Sequence, residues 1–127
     1  MINWLEKYNK LSWGITIFGA VMIFYLSSIN FDVPSLGEKG TNLISIIYHV
    51  CAFFCFSLFL FISVKKVNHI FILAIIVSIF YAVLDEIHQI FVPGRFCAFL
   101  DFALDSVGIL LASVIYLSVK YRRIQNV

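Results

Sequence analysis

The chain has 127 residues, of which 62% are hydrophobic and 13% charged, with a net charge of +2. Soluble domains are about 25% charged, so the composition excludes an ordinary water-facing surface, and the length excludes a second domain. The basic residues are scattered, which excludes a nucleic-acid footprint, and three cysteines without a CxxC pair imply neither a disulfide framework nor a cysteine zinc site.

A membrane-spanning helix needs about 20 predominantly apolar residues, and four stretches qualify. Residues 1–10 come first, with Lys7 and Lys10 beside Trp4, Leu5 and Tyr8, a segment suited to lie along the interface. Residues 11–29 then run without a charge. This run is long and no A-x-A-like site follows it, so an uncleaved anchor is expected rather than a signal peptide. Residues 30–42 contain Asp32, Pro34, Gly37, Glu38 and Gly40, a polar, turn-rich break. The second stretch, 43–64, has His49 as its one ionisable side chain apart from the thiols. Cys51 and Cys55 stand four apart there, on one helical face, as apolar packing residues. Lys65, Lys66 and Asn68 separate it from the third stretch, 70–92, which carries Asp85, Glu86 and His88 in its last third. Pro93-Gly94-Arg95 ends that stretch, because proline cannot continue helical bonding and glycine permits a sharp turn. So short a gap makes the third and fourth helices antiparallel neighbours. The fourth stretch, 98–119, carries Asp101 and Asp105 in its first third. The expected fold is all-α, a polytopic four-helix transmembrane bundle forming one domain over residues 1–127.

Lysine and arginine placement sets the orientation. With the N-terminus in the cytoplasm, Lys7, Lys10, Lys65, Lys66, Lys120, Arg122 and Arg123 lie inside, and only Lys39 and Arg95 outside. Both termini are therefore expected to be cytoplasmic. His49, Asp85, Glu86, His88, Gln89, Asp101 and Asp105 then fall in the outer part of the bilayer, with Arg95 in the outer turn.

The spacing sharpens this grouping. Asp85, His88 and Gln89 stand at i, i+3 and i+4, and Asp101 and Asp105 at i and i+4. Gly108 lies three residues beyond Asp105, where a small residue permits close helix approach. A charge at mid-bilayer costs about 2.5–3.5 kcal/mol on insertion scales. The acids must therefore face one another, face Arg95, take up protons or hold a cation. A structural reading stands beside the functional one: Arg95 paired with Asp101 or Asp85 would lock the turn, Asp105 and His88 would be interhelical glue, and His49 a packed histidine. No HExxH zincin motif, G-x-S-x-G elbow or phosphate-cradling glycine loop is present. A divalent cation held by His49, His88 and carboxylates fits the residue types, but no local spacing demands it.

The run Asp85-Glu86-Ile87-His88-Gln89-Ile90-Phe91-Val92-Pro93-Gly94-Arg95, followed by Asp101 and Gly108, resembles the signature of the VanZ-like membrane proteins. That signature is roughly D-E-x-H-Q or D-E-x-x-Q, then F-x-P-x-R, an aspartate, a frequent asparagine and a glycine. Tyr25-Leu26-Ser27-Ser28 is similar to the family's Y-x-S-S end of the first helix, and Tyr48-His49 with Phe53-Phe54 to its K-x-x-H-x-x-x-Y segment. The resemblance runs from about Tyr25 to about Tyr116. Asp105 stands where asparagine is common, Ile46 and Ile47 stand where a lysine is frequent, and Phe53 replaces a tyrosine.

The family name implies a link to low-level resistance to teicoplanin, a lipid-bearing glycopeptide acting outside the membrane, and brings no established reaction. The resulting expectation is an envelope protein whose outer-leaflet polar site handles a lipid-linked or amphiphilic ligand. His49, Gln89, Arg95, Asp101 and Asp105 would bind it, with Arg95 on an anionic group, and Asp85, Glu86 and His88 are the candidates for proton transfer. Two alternatives stay open: an intramembrane enzyme acting on a lipid head group, and a non-catalytic scaffold. Cofactor and metal stay unassigned, as does the choice between a homo-oligomer and a membrane protein partner.

Overall fold

The computed structural model describes residues 7–29, 43–65, 69–95 and 97–125. They form four helices: α1 Asn9–Ser27, α2 Leu43–Val64, α3 His69–Ile90 and α4 Phe99–Gln125. Each is long and apolar enough to cross a membrane. The protein is an all-α polytopic membrane protein. Residues 1–6 of the interfacial segment 1–10, and the polar break 30–42, lie outside the described residues.

The distribution of side chains is that of a protein dissolved in lipid. Ile17, Phe18, Val21, Ile76, Phe80, Leu110 and Val114 are exposed, whereas Ser12, Thr16, Ser57, Ser78, Asp85, Glu86 and Asp105 are buried. Lipid cannot satisfy a polar group, so the polar groups turn inward, and several of the buried hydroxyls bond within the protein. Hydroxyls of Thr16, Ser63, Ser78 and Ser113 donate to the carbonyl four residues earlier in their own helices, at 2.8–3.0 Å. Between helices, the Tyr81 hydroxyl donates to the Ala20 carbonyl at 2.6 Å, joining α3 to α1.

The helices alternate in direction. The starts of α2 and α4 meet through His49 and Asp105, 2.9 Å apart, and the ends of α1 and α3 meet through Ser28 and His88, also at 2.9 Å. The opposite end of the bundle is an aromatic layer of Phe61, Phe71 and Tyr116, with the last two stacked at 5.5 Å.

Gly108 explains why α2 and α4 pack so closely. A methyl group built on it would stand 2.5 Å from the Val50 carbonyl oxygen and 2.9 Å from the Phe54 nitrogen. Both obstacles are backbone and cannot swing aside, so only glycine admits this approach.

Helix ends follow local chemistry. Lys65 adopts φ 60 just past α2, the left-handed position that closes a helix, and its carbonyl accepts a bond from Lys120 Nζ at 3.3 Å. The third helix ends at Ile90, because Phe91 and Val92 donate to the carbonyls three residues back, a tightened last turn before Pro93. Gly94 takes φ 81 in the turn that follows. The fourth helix outlasts its apolar stretch by six residues, to Gln125. Lysine, arginine and glutamine favour helix, and Arg122 and Arg123 sit where the macrodipole welcomes positive charge.

Candidate functional site

One end of the bundle gathers all four acidic residues of the helices, with His49 and His88. His49 reaches it because it is the seventh residue of α2, Asp101 and Asp105 because they open α4, and Asp85, Glu86 and Gln89 because they close α3. Asp85, Glu86, Gln89, His49 and Asp105 are all buried, and the Asp101 side chain is 14% exposed.

His49 lies between two aspartates. Its Nδ1 is 2.9 Å from Asp105 Oδ1 and its Nε2 is 3.8 Å from Asp101 Oδ2. A carboxylate oxygen can only accept, so Nδ1 carries the proton given to Asp105. A neutral ring then turns an unprotonated Nε2 toward the Asp101 carboxylate, a lone pair facing an anion. An imidazolium, a protonated Asp101 carboxyl donating to Nε2, or a positive group nearby would each relieve this arrangement.

Glu86 completes the centre. Its Oε2 accepts the Ala98 N–H at 2.9 Å, which satisfies one of the free donors at the start of α4. Among the described residues its other oxygen, Oε1, is buried without a hydrogen-bond partner, as are Asp101 Oδ1 and Asp105 Oδ2. One ligand atom each from His49, Glu86 and Asp105 lies within 4.8 Å of the others.

Asp85 is paired within its own helix. Its Oδ2 accepts from Gln89 Nε2 at 3.0 Å, the i, i+4 pair that the spacing anticipates. The Tyr48 hydroxyl donates to the Ile23 carbonyl of α1 at 3.5 Å.

Two residues grouped with the acids from their spacing go elsewhere. His88 turns to α1, where its ring lies 4.2 Å from the Phe24 ring, centre to centre. Ser28 Oγ already donates to the Phe24 carbonyl at 2.7 Å, so His88 Nε2 is the donor in the His88–Ser28 bond. The 100° step per helical residue separates His88 from Glu86 by more than half a turn. Arg95 also serves α1: Nε and Nη2 donate to the Ile29 carbonyl at 3.2 and 2.9 Å, and Nη2 reaches Leu26 at 3.5 Å. Among the described residues Arg95 forms no ion pair, and the ion pairs present are those of His49. The free carbonyls of a helix end carry partial negative charge, and arginine's planar fork reaches more than one of them.

Two contacts escaped the sequence. Ala98 offers a backbone N–H, and no side-chain pattern announces it. Cys97, exposed in the turn outside the helices, has its thiol pKa raised by desolvation and by the nearby carboxylates of Glu86 and Asp101. Its place two residues after Arg95, in the short link between the third and fourth apolar stretches, was the available signal.

Residues 12–120 match the family model described as VanZ/LLP1. No curated protein and no solved structure matches the chain.

Proposed function

Because the chain belongs to the VanZ/LLP1 family, we propose that it is a cell-envelope protein whose buried acid–histidine centre receives the polar head group of a lipid-linked or amphiphilic ligand at the outer leaflet, and that it contributes in this way to glycopeptide resistance of the teicoplanin type. The observation that carries this reading is the set of buried, unpartnered oxygens on Glu86, Asp101 and Asp105 around His49. Buried carboxylates are costly unless paired. Such a set is kept where a positive group is to be received. His49, Glu86, Asp101 and Asp105 form the receiving face, the Asp85–Gln89 pair flanks it, and Arg95 holds the end of α1 against the turn.

Orientation is part of the proposal. Seven lysines and arginines on the side of the termini against two on the side of the acids support cytoplasmic termini and an outward-facing centre. One domain over the whole chain is proposed likewise, in keeping with a bundle that shares one interior.

The reading is tested by complementation of a deletion strain, scoring glycopeptide sensitivity and envelope stress, with membrane levels followed by immunoblot. Glu86→Gln, Asp101→Asn and Asp105→Asn are expected to insert at wild-type levels and to fail. Full complementation by all three at normal levels would reduce the centre to a structural role and shift attention to partner proteins.

A further inference from the structure

We propose that His49, Glu86 and Asp105 bind one divalent transition-metal cation, zinc in the first instance, with Asp101 as an outer ligand or partner of the imidazole. The inference deepens the proposed reading of this centre by identifying the positive group as a metal. It does not need that reading to be right, since the argument is geometric.

Three observations converge. First, the three side chains come from three different helices, yet each brings a ligand atom to within 4.8 Å of the others. Ligands about 2.0–2.2 Å from a tetrahedral zinc stand about 3.4 Å apart, so side-chain rotations that draw the atoms in by at most about 1.4 Å bring all three into range of one ion. Second, Glu86 Oε1 and Asp105 Oδ2 are buried and unpartnered on residues only 4% and 0% exposed. Among the described residues, no hydrogen bond satisfies them. Third, the charge does not balance. When ionised, Glu86, Asp101 and Asp105 supply three negative charges against one imidazole, and the arginine nearest in sequence, Arg95, is engaged on the end of α1. A divalent cation offsets most of this charge where a protonated imidazole would offset one unit.

The donor set narrows the metal. One imidazole nitrogen and two or three carboxylate oxygens suit zinc and also manganese or ferrous iron, whereas calcium and magnesium favour all-oxygen sites. The free positions of such a site would take an anionic oxygen of a ligand, such as a phosphate or carboxylate. Metal binding would thus give the centre an anion-recognising role that its own carboxylates oppose.

The test uses the full chain, purified without a histidine tag and placed in lipid nanodiscs, titrated calorimetrically with Zn²⁺ and with no amphiphile added. Wild type is expected to bind one Zn²⁺ per chain. Affinity should fall at least ~10-fold in Glu86→Gln and Asp105→Asn, because even outer-shell changes commonly cost that much, and should hold in Asp85→Asn. Zinc-edge X-ray absorption of the loaded wild type, which does not depend on any variant folding, should show a single imidazole, oxygen neighbours and no sulfur. Absence of saturable binding, equal binding in all variants, or a sulfur neighbour would overturn the proposal. Its fate is separable from that of the functional reading. Variants that fail in complementation while wild type binds no metal sink the metal alone, and variants that complement while wild type binds zinc sink the functional reading alone.

Discussion

At the scale of single residues, the centre depends on partners that cannot be removed one at a time. His49 and Asp105 are 1% and 0% exposed and bonded at 2.9 Å. His49→Leu strands Asp105 in the interior, and breaking a buried pair in this way costs about 3–5 kcal/mol. Replacing both by leucine removes the stranded group as well. The double variant is therefore expected to melt above the single His49→Leu variant in detergent, and thermal unfolding followed by circular dichroism checks the order. Tyr81 offers a milder case. Tyr81→Phe deletes a 2.6 Å bond to Ala20 and is expected to lower stability by about 0.5–1.5 kcal/mol, read from the same melts.

At the scale of elements, two devices hold the helices in register. The first is Gly108, whose missing side chain lets α4 lie against the backbone of α2. Gly108→Ala is expected to destabilise by about 1–3 kcal/mol through overpacking. Gly14→Ala and Gly19→Ala, where a methyl group meets nothing within 4 Å, are expected to be neutral or slightly stabilising. Denaturant titration in mixed micelles compares the three. The second device is Arg95, which spans the Leu26 and Ile29 carbonyls at the end of α1. Lysine has one ammonium and no fork, so Arg95→Lys should not restore what Arg95→Ala loses. Hydrogen exchange at residues 24–29 is expected to quicken in both.

At the scale of the whole molecule, an apolar exterior surrounds an interior that mixes an apolar core with polar side chains and is rich in charge at one end. Cys97 is exposed at that end, in the turn between α3 and α4. A variant keeping Cys97 as its single cysteine is expected to react with a membrane-impermeant maleimide added to intact cells, whereas a cysteine placed at the C-terminus should react only after permeabilisation. The reverse pattern would invert the topology and put the acid centre on the cytoplasmic side.

Sequence alone was enough for the number of helices, their membrane-spanning character and the shared end of the polar residues. Each of these rests on local hydropathy, chain direction and the cost of charge in lipid, all of which are one-dimensional. The i, i+4 pair of Asp85 and Gln89 and the close approach at Gly108 were legible for the same reason, since helical periodicity carries them. Which polar residues meet was decided only in three dimensions. His88 and Glu86 are two positions apart in sequence but face different helices, and Arg95 could choose between a carboxylate and a row of carbonyls. The rotation of α3 against α1 and α4 made both choices, directing His88 and Arg95 to the end of α1 and Glu86 to His49 and Asp105. Packing of apolar faces sets that rotation, and the spacing of the polar residues contains no record of it.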